Sequence, residues 1–74
     1  MATVILVERD NLRRGDVWVA SNWHSVTKYM EDRGAEYVDG GSYREFDDSP
    51  ALRTETWKSV GLGITWFCKE VVPR

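Results

Sequence analysis

The stretch RTETWKSVGLGITWFCKEVV, residues 53–72, decides the fold, because it reads in two ways. As a helix, it would start from Ser49 as N-cap, take Pro50 at the first helical position and end at Gly61. As a hairpin, it would turn on Gly61-Leu62-Gly63. Its Thr, Trp and Val content favours strand, and its apolar spacing fits a helix poorly, so we read a hairpin. Charge then selects a register. A three-residue turn sets Glu55 opposite Lys69 and Trp57 opposite Phe67, whereas a two-residue turn on Leu62-Gly63 sets Glu55 against Glu70. In the first register one face carries Val60, Ile64, Trp66, Cys68 and Val72. The other carries Trp57, Phe67 and Val71 beside Glu55, Lys69, Ser59 and Thr65. The ion pair and hydroxyls mark that second face as solvated.

Upstream, AEYVDGGSYREF, residues 35–46, reads as another hairpin around Asp39-Gly40-Gly41. A three-residue turn there pairs Tyr37 with Tyr43 and Glu36 with Arg44, while a two-residue turn on the glycines opposes Glu36 to Glu45. DDSPALR, residues 47–53, breaks the pattern. SNWHSVTKYMEDRG, residues 21–34, is the helix. Ser21 or Asn22 caps its start and Gly34 takes the left-handed position past its end. Trp23, Val26 and Met30 recur at helical spacing with Tyr29 alongside, and Lys28 reaches Glu31 and Asp32 on the solvent side. Residues 3–7 and 17–20 are β-rich runs joined by the loop DNLRRGD, residues 10–16, with Asn11 and Gly15 as turn residues. The expected fold is one small α+β domain spanning residues 1–74, an antiparallel sheet with a single helix packed on one face.

Composition narrows the function. A 74-residue chain has room for a single core worth about 3–5 kcal/mol, which argues for a surface or shallow groove over a large internal cavity. With 42% hydrophobic and 30% charged residues the chain is globular in balance, not disordered. A net charge of −2 argues against a protein that coats nucleic acid. One cysteine, Cys68, and one histidine, His24, preclude an intramolecular disulfide or a Cys/His zinc set within one chain. A small domain without disulfides is expected in the cytoplasm. MATVILVERD has no basic leader region and only a short apolar run, and no stretch approaches the about 20 apolar residues of a membrane span. No cofactor, metal or membrane partner is expected.

Each candidate for chemistry has a plainer reading beside it. His24 falls in the first helical turn, where the macrodipole favours a neutral imidazole suited to a general base. No third group is spaced to orient it, so capping or packing is the preferred role. Arg9, Arg13 and Arg14 place guanidinium forks about a loop suited to phosphate or carboxylate, although the P-loop ending is absent and a solvated turn is the preferred reading. The Arg-Gly-Asp tripeptide at 14–16 carries no adhesion meaning inside a cell. In REFDD, residues 44–48, Glu45, Asp47 and Asp48 lack the calcium-loop pattern. They read as a solvated turn, with Asp48 or Ser49 capping PALR, or as groups that meet a basic partner. Four tryptophans in so short a chain are its most unusual feature. Trp18 and Trp23 are expected in the core, while Trp57 and Phe67, rimmed by Arg53, Glu55 and Lys69, are expected to form a wet aromatic patch that binds a partner.

The expected function is a small non-catalytic binding protein that regulates or inhibits a larger macromolecule, as phage and mobile-element accessory inhibitors do. Its partner would be a protein, or a second copy of the chain. The alternative is a nucleic-acid or nucleotide binder using Arg13, Arg14 and stacking aromatics.

Overall fold

The structure is a computed structural model that describes residues 3–10 and 17–72. Its elements run β1 (Val4–Asp10), β2 (Val17–Ala20), α1 (Trp23–Asp32), β3 (Glu36–Tyr43), β4 (Leu52–Ser59) and β5 (Ile64–Val71). The strands form one five-stranded sheet in the order β2-β1-β5-β4-β3, with every neighbouring pair antiparallel. The α+β architecture expected from the sequence is the architecture found. β2 and β3 lie at opposite edges, so the helix between them has to cross one face of the sheet. Ten residues of helix extend about 15 Å and four strand spacings about 19 Å, so α1 and its flanking turns match the crossing. No helix among the described residues is long and apolar enough to cross a membrane.

The helix forms where its punctuation places it. Asn22 is the N-cap, accepting the Ser25 N–H at 2.8 Å, and Gly34 follows the last turn at φ +67°. Val26 and Met30, one turn apart, are fully buried against Ile5, Val7, Ala20, Trp57, Trp66 and Cys68, with Trp18, Trp23, Tyr29, Ala35 and Ile64 packed around them. Trp18 and Tyr29 stack at 4.6 Å, and Trp66 meets Tyr29 edge-on at 6.3 Å. The arginine loop, with Arg13 and Arg14, lies outside the described residues.

Two expectations of pairing are corrected. Residues 35–46 do not form a hairpin. Glu36–Tyr43 is one continuous edge strand, and Gly40 and Gly41 pair with Glu55 and Thr54 of β4. Gly40 serves close approach, not turning: a Cβ there would strike the Tyr37 hydroxyl, because that ring lies over it. The register slips by one between Tyr37 and Asp39, a bulge that leaves Val38 unpaired, and Asp39 Oδ1 accepts the Gly40 N–H at 2.8 Å.

The β4–β5 hairpin exists, but its register matches neither expected turn. Ser59 pairs with Ile64, leaving residues 60–63 in the turn. The Gly63 N–H, at φ +67°, reaches the Ser59 carbonyl at 2.9 Å, and Ser59 Oγ accepts the Leu62 N–H at 3.3 Å. This serine-braced turn shifts β4 by one residue, which turns its odd-numbered side chains onto the helix-covered face. Trp57 therefore faces Trp66, and Glu55 faces Cys68. Nor is PALR a capped helical turn, since β4 begins at Leu52.

The faces of β5 are as expected, with Trp66 and Cys68 buried and Phe67 and Lys69 exposed. Burial, then the Glu55 carboxylate, pushes the Cys68 thiol up to about 12, from a usual 9.0. That shift lowers the thiolate fraction at neutral pH roughly a thousandfold. Native Cys68 is expected to label with a thiol reagent far more slowly than the denatured chain, and immediate native labelling would contradict the packing of β5. The unfolded thiol ionises near 9 and the folded one near 12, so this group's contribution to stability is intact below pH 9 and fades as pH rises towards 12.

Candidate binding surfaces

The sheet offers two unlike faces. Beneath and beside the helix, a polar network is embedded in the aromatic core. Glu55 is only 5% exposed and is held from two sides. Its Oε1 accepts the Trp57 indole N–H at 3.0 Å, and its Oε2 pairs with the Arg53 guanidinium. Arg53 also lies over the Trp23 ring at 4.8 Å. The Arg53 backbone N–H reaches Glu70 Oε1 at 3.1 Å, and Glu70 Oε2 accepts from Thr3 at 3.3 Å. Strand β4 thus satisfies its buried carboxylate along its own length, from residues two positions away on the same face. The expected cross-strand ion pair is absent: Lys69 sits opposite Thr54.

This geometry divides the five residues expected to form one wet patch. Trp57, 8% exposed, and Glu55 belong to the core. Arg53 rims the helix-covered side. Only Phe67 and Lys69 point to the outer face, so the Trp57–Phe67 pair does not form. Arg9 is half-buried on the helix side opposite Trp66, and its Nε, like the indole N–H groups of Trp18 and Trp23, is buried without an acceptor among the described residues. His24 is exposed; the cap is Asn22.

No helix or strand among the described residues covers the outer face. Across β1 and β5 its residues alternate in kind: Leu6 pairs with Lys69, and Glu8 with Phe67. Val19 lies beside Leu6 at the β2 edge and is exposed, as is Phe67 at 48%. Thr54, Thr56 and Thr65 fill the half-exposed positions between them. Comparison with protein-family models, curated proteins and solved structures finds no match.

A cleft of about 310 Å³ opens at one end of the sheet, where residues 44–51 connect β3 to β4. Phe46, Pro50, Leu52 and Val72 form its apolar walls. Thr3, Ser49 and Glu45 supply the polar edge. Sequence reading missed this cleft. Its one signal was an isolated phenylalanine among acids, in REFDD. The connection is braced from inside: Ser49 N–H to the Phe46 carbonyl at 3.0 Å, Arg44 to the Ser49 carbonyl at 3.4 Å, and the Tyr43 hydroxyl to the Glu70 carbonyl at 2.5 Å. Among the described residues no group of three or more His, Cys, Asp or Glu side chains is gathered to hold a metal ion.

Proposed function

We propose that this chain is a non-catalytic binding protein that regulates or inhibits a larger protein by laying the helix-free face of its sheet against it. The supporting observation is that face itself. An antiparallel sheet with one solvated face normally shows polar residues there. Here Phe67, Leu6 and Val19 interrupt the polar pattern, with Glu8, Lys69 and Lys58 around them. Exposed aromatic and aliphatic groups inside a charged rim have the make-up of an interface centre. A cytoplasmic location belongs to this reading and rests on the lone, buried Cys68.

Nucleic acid is the weaker reading. On the outer face Lys58 pairs with Glu36 across β3–β4, and Glu8 sits next to Phe67, which interrupts any basic track.

The test compares the wild type with Phe67→Glu as baits in lysate of the native host, with melting curves for both. The variant is expected to lose the captured protein, by about 2 kcal/mol or more of affinity, while remaining folded at a cost of about 1 kcal/mol for a carboxylate set opposite Glu8. Equal capture by both baits would refute the outer-face reading. Capture that collapses with modest salt and is replaced by nucleic acid would favour the alternative. Concentration-dependent self-association lost in the variant would make a second copy the partner.

A further inference from the structure

We propose that the cleft beneath the β3–β4 connection is a socket for an aromatic side chain of a protein partner, presented next to lysine or arginine. This rests on the reading of the chain as a protein-binding module, and it names the chemistry of the bound segment.

The size and walls of the cleft define the apolar part of the occupant. A volume of about 310 Å³ lies at the bottom of the range of about 300–1,000 Å³ that ligand pockets occupy, enough for one bulky side chain and too little for a large cofactor. Phe46 forms one wall yet is 61% exposed, while Leu52 at the floor is buried. An aromatic ring inserted between Phe46 and Pro50 would cover the apolar surface that Phe46 now shows to water, and aromatic pairs gain beyond their buried area. The internal hydrogen bonds of the connection hold the cleft open in advance, so little ordering is left for binding to accomplish.

The charge around the mouth defines the rest. Asp47 and Asp48 are both exposed next to Phe46, and neither meets a cation among the described residues. Among the described residues, Arg44 braces the Ser49 carbonyl and the Lys69 ammonium lies 4.6 Å over the Tyr43 ring, so neither meets Asp47 or Asp48. A partner segment whose aromatic anchor carries basic neighbours complements this rim, and an acidic one is repelled.

The test titrates the full chain with three probes while amide NMR shifts are followed: the peptide acetyl-Lys-Trp-Lys-amide, tryptamine and indole-3-acetate. The expected result is that shifts centre on Phe46, Leu52 and Val72, and that the peptide binds best. Indole-3-acetate, with the same ring and the opposite charge, should bind about tenfold more weakly than tryptamine at low salt, a gap that narrows as salt is added. Asp47→Asn with Asp48→Asn should weaken the peptide about three- to tenfold with the melting temperature unchanged, and Phe46→Ala should abolish the shifts. Shifts absent, or centred on the outer face, would overturn the proposal. So would equal binding of the two indoles. Tryptamine binding as tightly as the peptide would make a free aromatic amine the occupant and overturn the protein-segment assignment. If the peptide fails here while Phe67→Glu still loses its captured protein, the socket falls and the binding function stands. If the peptide binds while Phe67→Glu captures normally, the outer-face reading falls alone.

Discussion

Trp57→Ala is expected to destabilise the fold by about 3–5 kcal/mol, the usual cost of truncating a core aromatic. The side chain is buried opposite Trp66, meets the Tyr37 ring edge-on at 5.6 Å, and donates its N–H to Glu55. Truncation leaves a cavity between the helix and the sheet and removes a hydrogen bond from a buried carboxylate. A core of this size supplies about 3–5 kcal/mol in all, so the variant should be largely unfolded at ambient temperature. Trp66→Ala should behave alike. Denaturant melts of both variants provide the check. A Trp57→Ala protein that melts like wild type and fails only in association would restore the wet aromatic patch expected from the sequence and invalidate the observed β4–β5 register.

Glu55→Ala carries the next largest effect, a loss of about 2–3 kcal/mol. Breaking a buried ion pair by removing one partner costs about 3–5 kcal/mol when both charges are buried. Arg53 is 57% exposed and rehydrates when its partner leaves, so the pair itself contributes less. What remains is the Trp57 indole N–H, buried and stripped of its acceptor, and the space the side chain vacates. Glu55→Gln keeps an acceptor in place for that N–H, so it should cost no more than about 1 kcal/mol. If Gln proves as damaging as Ala in the same melts, the carboxylate charge and not the indole hydrogen bond is what the core requires.

These two residues also show where sequence reasoning reached its limit. The helix was legible because its signals are local: a capping Asn22, a closing Gly34, and Val26 and Met30 one turn apart. The faces of β5 were legible because Trp66 and Cys68 alternate cleanly with Phe67 and Lys69. The faces of β4 were not. Cross-strand charge was used to set its register, but Glu55 finds its cation on its own strand, and a serine side chain rather than glycine spacing braces the turn. One residue of slip was enough to send Trp57 inward. Gly40-Gly41 misled in the other direction. Adjacent glycines usually signal a turn, and here they mark a strand on which a tyrosine ring rests. The cleft at Phe46 depends on Leu52 and Val72 meeting from distant parts of the chain, which no local pattern encodes.

The β3 edge has a consequence for how this protein behaves in concentrated solution. A long strand with a bare outer side invites other chains to add to it, the first step towards fibrils. β3 is eight residues long and exposed along almost its whole length. Yet it bulges at Val38, and the Asp39 carboxylate already occupies the Gly40 N–H. The opposite edge, β2, has only four residues. Open-ended growth of the sheet is thereby blocked at both ends, so samples should stay clear and free of amyloid dye binding on prolonged incubation, and Asp39→Val is the single change expected to bring aggregation on.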